Sequence, residues 1–120
     1  MNKETRATIA YIAGNLISNK HSSSIYDYGQ AKHINISGKA DEKNINVYNY
    51  NKGCHYSGSG NGLNYSIYNY GDRAHINLSI SKKQINGYDY GTGFHFSGNV
   101  NNNSISIYDY ETSSYYNYSI

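Results

Sequence analysis

The sequence predicts an all-β protein, a repetitive antiparallel meander of about ten short strands with one N-terminal α-helix. Three observations support this fold class. A motif with two tyrosines recurs five times, polar and apolar residues alternate around it, and clusters of Gly, Asn, Asp and Ser separate the alternating stretches. Alternation with a period of two indicates half-buried strands, and such clusters are typical of the turns between strands.

The composition is that of a folded chain, although Leu, Ile, Val and Phe are scarce. The 120 residues include 16 Tyr, 12 Gly and no Pro, and only 15% of them are charged. Disordered chains are usually rich in Pro and charge and poor in aromatic residues. We therefore expect one folded domain over residues 1–120.

The repeat has a unit of about 20 residues. A second segment begins seven residues after the first tyrosine of each motif, with His in four copies and Tyr115 in the fifth. Residues 25–65 match residues 67–107, which indicates a tandem duplication, and residues 23–120 divide into five repeats, the last atypical as a cap would be. The tyrosine motifs are residues 25–28, 47–50, 67–70, 87–90 and 107–110.

The residues before the repeat predict a helix over 4–18. Ile9, Ile12 and Leu16 recur at helical spacing. Glu4 lies where a signal peptide would be basic, so we interpret this segment as part of the mature protein. The simplest role for one helix beside a β repeat is to cover an open end or edge of the sheet.

Two architectures remain open. In a meander, successive hairpins close into a barrel or fold over as two packed sheets, and the hairpin-type turns and the 40-residue duplication favour this arrangement. In a β-solenoid, equivalent residues stack at about 4.8 Å, and the columns of identical residues favour that alternative.

Charge, cysteine and hydropathy restrict the partners. The net charge is +2 and the Lys and Arg residues are scattered, so we expect no nucleic-acid binding. A single cysteine, Cys54, excludes a disulfide framework and, without a convincing signal peptide, favours a cytoplasmic location. No apolar run approaches the roughly 20 residues of a membrane helix, so we expect no membrane insertion.

The tyrosines form two columns on one face of the predicted sheet. If that face meets solvent, it is an aromatic platform suited to sugar rings or to self-association. If it is packed against another sheet, the tyrosines are the second half of the core. On the solvent-facing interpretation, the stacking residues are Tyr48, Tyr50, Tyr68 and Tyr70, and the hydrogen-bonding residues are Asn49, Asn69, Asn77 and His75.

The histidine column and the single cysteine raise the question of metal binding and catalysis. Aligned histidines would share a metal ion in a solenoid, but they lie about 10 Å apart in a meander. Cys54 and His55 are adjacent on a strand, so they point to opposite faces and form no dyad. Every other candidate Ser, His or Asp is one copy of a repeated position, whereas catalysis needs one unique constellation. We therefore expect no metal, no cofactor and no catalytic residue.

The predicted function is a non-enzymatic binding module that uses a surface of Tyr, Asn, Ser and His, with a glycan as the ligand. One alternative is a structural protein that self-assembles into homo-oligomers through its edge strands or tyrosine face. The other is a barrel that binds a small hydrophobic ligand.

Overall fold

The computed structural model describes all 120 residues as one helix followed by ten strands. Helix α1 spans Lys3–Ser18. Asn2 caps it by accepting a hydrogen bond from the backbone N–H of Thr5, and Asn19 ends it in the left-handed conformation. The strands are β1 (Ser24–Asp27), β2 (Lys32–Ala40), β3 (Asn44–Asn49), β4 (Cys54–Gly60), β5 (Asn64–Asn69), β6 (Ala74–Ser81), β7 (Gln84–Asp89), β8 (Phe94–Asn101), β9 (Ser104–Asp109) and β10 (Ser114–Ser119).

The strands form a closed barrel. Each strand pairs antiparallel with the next along the chain, and β1 pairs with β10 to complete the ring. The predicted antiparallel meander with one N-terminal helix is therefore confirmed, in the form of a barrel rather than two packed sheets. The solenoid alternative was wrong, because neighbouring strands belong to successive hairpins and not to stacked coils.

The alternation seen in the sequence separates the two faces of the barrel wall. In β9, Ile105 and Ile107 are buried, while Ser106 and Tyr108 lie on the other face. The inward positions of the other strands are also mainly aliphatic or aromatic, and together with helix residues they form one core of 23 buried side chains. The core is therefore the interior of the barrel.

Helix α1 lies inside the barrel. Ile9, Ala10 and Ile12 are fully buried. Near its start the helix contacts opposite walls, since Thr5 is hydrogen-bonded to Tyr56 of β4 at 2.9 Å and Arg6 lies 2.9 Å from a carboxylate oxygen of β9. The expectation that the helix covers an end or edge of the sheet was wrong. A closed sheet has no edge, and a ten-strand barrel has an interior wider than its own side chains fill, so the helix occupies that space.

Glycines at inward positions bring adjacent parts of the wall close together. A Cβ added at Gly58 would lie 1.9 Å from the backbone oxygen of Ser66, and one added at Gly98 would lie 2.2 Å from that of Ser106. Only a residue without a side chain fits at these two positions. No helix in the structure is both long and apolar enough to cross a membrane.

Candidate functional site

The outer wall, defined as the strand positions that alternate with the buried ones, is polar and almost without charge. Lys39 is its only lysine, it has no arginine, and no outward strand position holds Asp or Glu. The other outward residues are Ser, Asn, Gln, Tyr and His. A surface of hydroxyl, amide and aromatic groups offers hydrogen bonds and ring faces rather than ion pairs.

Five similar turns place the tyrosines at one end of the barrel, which we call the tyrosine end. In the second repeat, the side-chain oxygen of Asn49 accepts hydrogen bonds from the backbone N–H groups of Asn51 (2.9 Å) and Lys52 (3.0 Å). Such Asx turns fix the chain where it leaves the strand. The residue four positions after the Asn or Asp has a positive φ in every copy: Ala31, Gly53, Arg73, Gly93 and Ser113.

Each motif builds the same aromatic cluster on the outer wall. The ring of Tyr48 is held edge-on between Tyr50 (centroids 4.8 Å apart) and His55 (4.6 Å). Edge-to-face packing of this kind stabilises the rings in place. We call the five clusters the tyrosine belt: Tyr26, Tyr28 and His33; Tyr48, Tyr50 and His55; Tyr68, Tyr70 and His75; Tyr88, Tyr90 and His95; Tyr108, Tyr110 and Tyr115.

The belt faces solvent. The second tyrosine of each motif is more than half exposed, for example 61% for Tyr50 and 55% for Tyr70, and the first is partly exposed. Of the two interpretations that the sequence left open, the one that placed these columns in the core was wrong. The core of the barrel is filled by the inward aliphatic and aromatic residues of the strands and by α1 instead.

A groove lies between the second and third clusters of the belt, and we call it the belt groove. Its aromatic lining is Tyr48, His55 and Tyr70, and Asn46 and Ser57, the next outward pair along β3 and β4, also line it. Its volume is about 540 Å³. Gly53 and Cys54 complete the lining. The groove thus combines aromatic walls with amide, hydroxyl and imidazole groups.

A second, smaller groove lies across β4, β5 and β6. It has a volume of about 340 Å³ and is lined mainly by serine and asparagine side chains of the outer wall: Ser59, Asn64, Ser66, Asn77 and Ser79. One hydrogen bond crosses it, from the Ser79 hydroxyl to the Asn64 side-chain oxygen at 2.8 Å. This second groove therefore adds hydrogen-bonding groups to the outer wall beyond those of the belt groove.

The predicted stacking residues all lie in the belt, but only Tyr48 and Tyr70 line the belt groove. Tyr50 and Tyr68 are the partners on which those two rings pack. His75 packs on Tyr68 (4.9 Å). Asn77 is also on the outer wall, where its amide donates to the hydroxyl of Tyr90 at 3.3 Å. The predicted set is thus divided between two neighbouring clusters.

Asn49 and Asn69 do not belong to the outer surface, and their prediction as ligand contacts was wrong. Both are buried, because a residue between two outward tyrosines on a strand points inward. The amide of Asn49 donates to the Thr8 hydroxyl (2.9 Å), and that of Asn69 donates to the Thr5 hydroxyl (3.1 Å). These asparagines hold the helix instead of a ligand.

Three groove residues were missed: Asn46, His55 and Ser57. Their signal was the hairpin register, since Tyr48 pairs with His55 and Asn46 pairs with Ser57 across β3 and β4. Once β3 and β4 are recognised as a hairpin, the length of the turn between them fixes their register. The register then shows which outward residues lie opposite each other.

Three wall carboxylates at the tyrosine end are buried and point into the barrel rather than onto the belt: Asp27, Asp89 and Asp109. Asp109 accepts a hydrogen bond from Arg6 at 2.9 Å, and the amino group of Met1 lies 3.0 Å from the same oxygen. Burial raises the pKa of Asp89, although a hydrogen bond from the backbone of Gly91 opposes that shift. The other two carboxylates of this end lie partly exposed in turns, where each is paired with a cation: Asp72 with Lys52, and Glu111 with the amino group of Met1.

No group of three or more His, Cys, Asp or Glu side chains is arranged to hold a metal ion. Comparison with protein-family models, with curated proteins and with solved structures finds no significant match.

Proposed function

We propose that the protein is a non-enzymatic module that binds glycans in the belt groove. The observation that carries the proposal is the pairing of an exposed tyrosine ring, Tyr70, with polar side chains across an open groove of about 540 Å³. A concave site with aromatic walls and a few placed polar groups is the usual form of a ligand site.

The chemistry of the groove suits a sugar ring. A pyranose has a face of C–H groups, which can stack on an aromatic ring, and a rim of hydroxyls that both donate and accept hydrogen bonds. Tyr70 supplies the ring face, while Asn46 and Ser57 supply a donor and an acceptor each. Ser57 lies close enough to Tyr70 (3.5 Å between hydroxyl oxygens) for one sugar to contact both.

The groove is organised before any ligand arrives. Tyr48 is held by two edge-to-face contacts, and the strand pair that carries Asn46 and Ser57 is a rigid part of the barrel. Little conformational freedom is therefore lost on binding, which favours affinity. Because equivalent clusters recur around the belt, a polymer could contact several of them, and each added contact would increase its avidity.

The proposal is tested with Tyr70→Ala, a substitution at an exposed position that should leave the fold intact. We expect saturable binding of a neutral oligosaccharide, selected on a glycan array and measured by calorimetry, to weaken about tenfold or more in this variant. Tyr70→Phe keeps the ring and should retain most of the affinity. Leu63→Ala, at an equally exposed position outside the belt, is the control. Equal affinity of Tyr70→Ala and the unchanged protein would contradict the proposal.

Self-assembly is the second candidate, and the belt favours it in one respect. Exposed aromatic rings encircle the barrel, and a continuous patch of that kind can join copies of a protein. The closed sheet leaves no free strand edge for such contacts. A sedimentation-velocity series that shows growth with concentration, reversed by Tyr70→Ala and unaffected by sugar, would favour assembly over glycan binding. The position of α1 in the interior of the barrel counts against the hydrophobic-ligand alternative.

A further inference from the structure

Building on the proposed function, we infer that the preferred ligand is an acidic polysaccharide, which the belt captures when its four histidines are protonated. Three features of the structure support this: the distribution of carboxylates, the surroundings of the histidines and their spacing around the wall.

The carboxylates are segregated from the belt face. The chain has eight Asp and Glu residues, and none occupies an outward strand position. Asp27, Asp89 and Asp109 are buried in the barrel, and Glu4 lies on α1. The remaining four are in turns: Asp41, Glu42, Asp72 and Glu111. An anionic ligand on the outer wall would therefore meet no carboxylate projecting from a strand.

The belt histidines are exposed, and each packs against the ring of a belt tyrosine. His55 packs on Tyr48 of β3, and its backbone carbonyl accepts a hydrogen bond from the backbone N–H of Tyr70, which follows β5. Asp72, in the turn after Tyr70, is paired with Lys52 at 2.7 Å. Protonation of the His55 imidazole therefore adds positive charge to a surface where the neighbouring carboxylate already has a partner.

The other three histidines have comparable surroundings. His75 packs on Tyr68 and bonds the backbone of Tyr90. His95 packs on Tyr88, and Tyr110 takes the equivalent place on its far side. His33 packs on Tyr26.

Protonation changes the electrostatics of the whole wall. Histidine ordinarily titrates near pH 6.5, about the middle of the physiological range. The formal net charge of +2 rises by one for each imidazolium, to +6 when all four belt histidines are charged. Lys39, on the same wall, adds to the positive field. The charge change is confined to the surface where the proposed glycan site lies.

The spacing fits a flexible charged chain. From His55 to His75, and again to His95, the pairing crosses two strands and shifts two residues along them, a separation of about 12 Å. A polysaccharide can bend around a barrel only 32 × 29 × 28 Å in extent and meet several histidines. A flat membrane would touch such a curved wall along a narrow strip, which favours the polysaccharide over an anionic lipid surface.

The test compares two probes with the same sugar backbone and length but different charge, a hexamer of galacturonic acid and its fully methyl-esterified form. Their affinities for the whole protein are measured by calorimetry at pH 8 and pH 5.5, where the acid form keeps most of its negative charge. We expect the acid form to bind about tenfold more tightly at pH 5.5 and the ester to bind equally at both pH values. Added salt should remove the gain.

The variant that carries the test replaces the three belt histidines outside the belt groove with glutamine: His33, His75 and His95. Gln keeps a hydrogen-bonding side chain but cannot be charged, so most of the gain at pH 5.5 should disappear while binding of the ester persists. His21→Gln is the matched control, because His21 is the one histidine outside the belt, and it should leave the gain intact. Since all four belt positions are exposed, these substitutions should not affect folding.

The outcomes separate this inference from the proposed function. One outcome is that the ester binds, that Tyr70→Ala abolishes this binding, and that the acid form binds no more tightly at pH 5.5 than at pH 8. The proposed function then stands and the inference is overturned. If neither probe nor any array glycan binds, both are overturned. If the protein prefers phosphatidylglycerol vesicles to the acid hexamer at pH 5.5, the belt recognises a lipid surface and the inference is overturned.

Discussion

The two ends of the barrel hold the same helix in different ways. At the tyrosine end, polar side chains from the wall reach the first turns of α1: Asn49 bonds Thr8, Asn69 bonds Thr5, and Asp109 pairs with Arg6. At the other end, which we call the cleft end, a cavity of about 640 Å³ separates the last turn of α1 from the turns of the wall. The tyrosine end therefore bonds the helix through several buried side chains, whereas the bond from Ser18 to Asn102 at the cleft end is exposed.

The difference comes from the inward residues at each end. At the tyrosine end, every repeat places an Asn or Asp there, and that side chain caps a turn and faces the helix. At the cleft end, the corresponding strand ends carry small or apolar residues: Ala40, Gly60, Ile80, Val100 and Ile120. Such residues make no directional bonds. The repeated strands therefore build one rigid end and one end with space for movement, and the proposed glycan site lies at the rigid end.

Among the substitutions that test the difference between the two ends, Asp109→Ala should cause the largest loss of stability. The substitution leaves Arg6 buried without its carboxylate, and its Nε atom already has no hydrogen-bond partner. We expect a loss of about 3–5 kcal/mol in the free energy of unfolding, measured by urea denaturation. Asp41→Ala is the control, since Asp41 accepts two turn N–H bonds at the cleft end, where its side chain is partly exposed. Similar losses for the two variants would show that the ends do not differ.

A smaller effect is expected for Thr5→Val, which removes one hydroxyl from the helix at the tyrosine end. Tyr56 and Asn69, both buried, would lose their bonds to that hydroxyl. Leaving buried polar groups unpaired should cost about 1–3 kcal/mol in unfolding free energy. Ser18→Ala, in the last turn of the helix, removes an exposed hydroxyl bonded to Asn102 and should change stability by less than about 0.5 kcal/mol. Native-state hydrogen exchange of α1 would locate any loosening.

The smallest effect should come from Asp89→Asn and should depend on pH. Burial raises the pKa of Asp89, so the folded protein keeps the proton at a pH where the unfolded chain has released it. Stability therefore falls as pH rises through the range just above the ordinary Asp value of about 3.9. Asn already occupies the equivalent positions 49 and 69. Because Asn carries no charge, its burial does not have the cost of burying a charged carboxylate. The variant should equal the unchanged protein near pH 3 and be more stable at pH 7.

Parallel stability profiles of the two proteins between pH 3 and pH 7 would contradict this expectation. The difference between the profiles is the quantity to measure, because the other carboxylates contribute equally to both. A difference confined to that range would show that the uncompensated charge of Asp89 weakens the tyrosine end, whereas Asp109 strengthens it through Arg6.

Much of the candidate site could be predicted from the sequence. The prediction failed for two reasons: one residue was assigned to the wrong face of its strand, and the pairing of two strands was not considered. Tyr48 and Tyr70 were identified because their motif repeats, and motif repetition needs no knowledge of the fold. Asn49 was placed on the wrong face, although strict alternation between two outward tyrosines would have sent it inward. His55 and Ser57 were missed because they enter the groove through strand pairing, which joins residues that are not adjacent in the chain.

The sequence by itself determined the strands, the turns and the sorting of aliphatic from polar residues. These features depend on neighbouring residues, because a period of two assigns each side chain to a face and Gly, Asn and Asp supply the turns. Only the tertiary structure decided that the sheet closes, that α1 lies inside the barrel and that the tyrosines of the belt lie outside it. Closure of the barrel depends on the tilt and register of all ten strands together. Once the barrel has closed, side chains must fill its interior. The helix fills it, and the aromatic face is left to solvent.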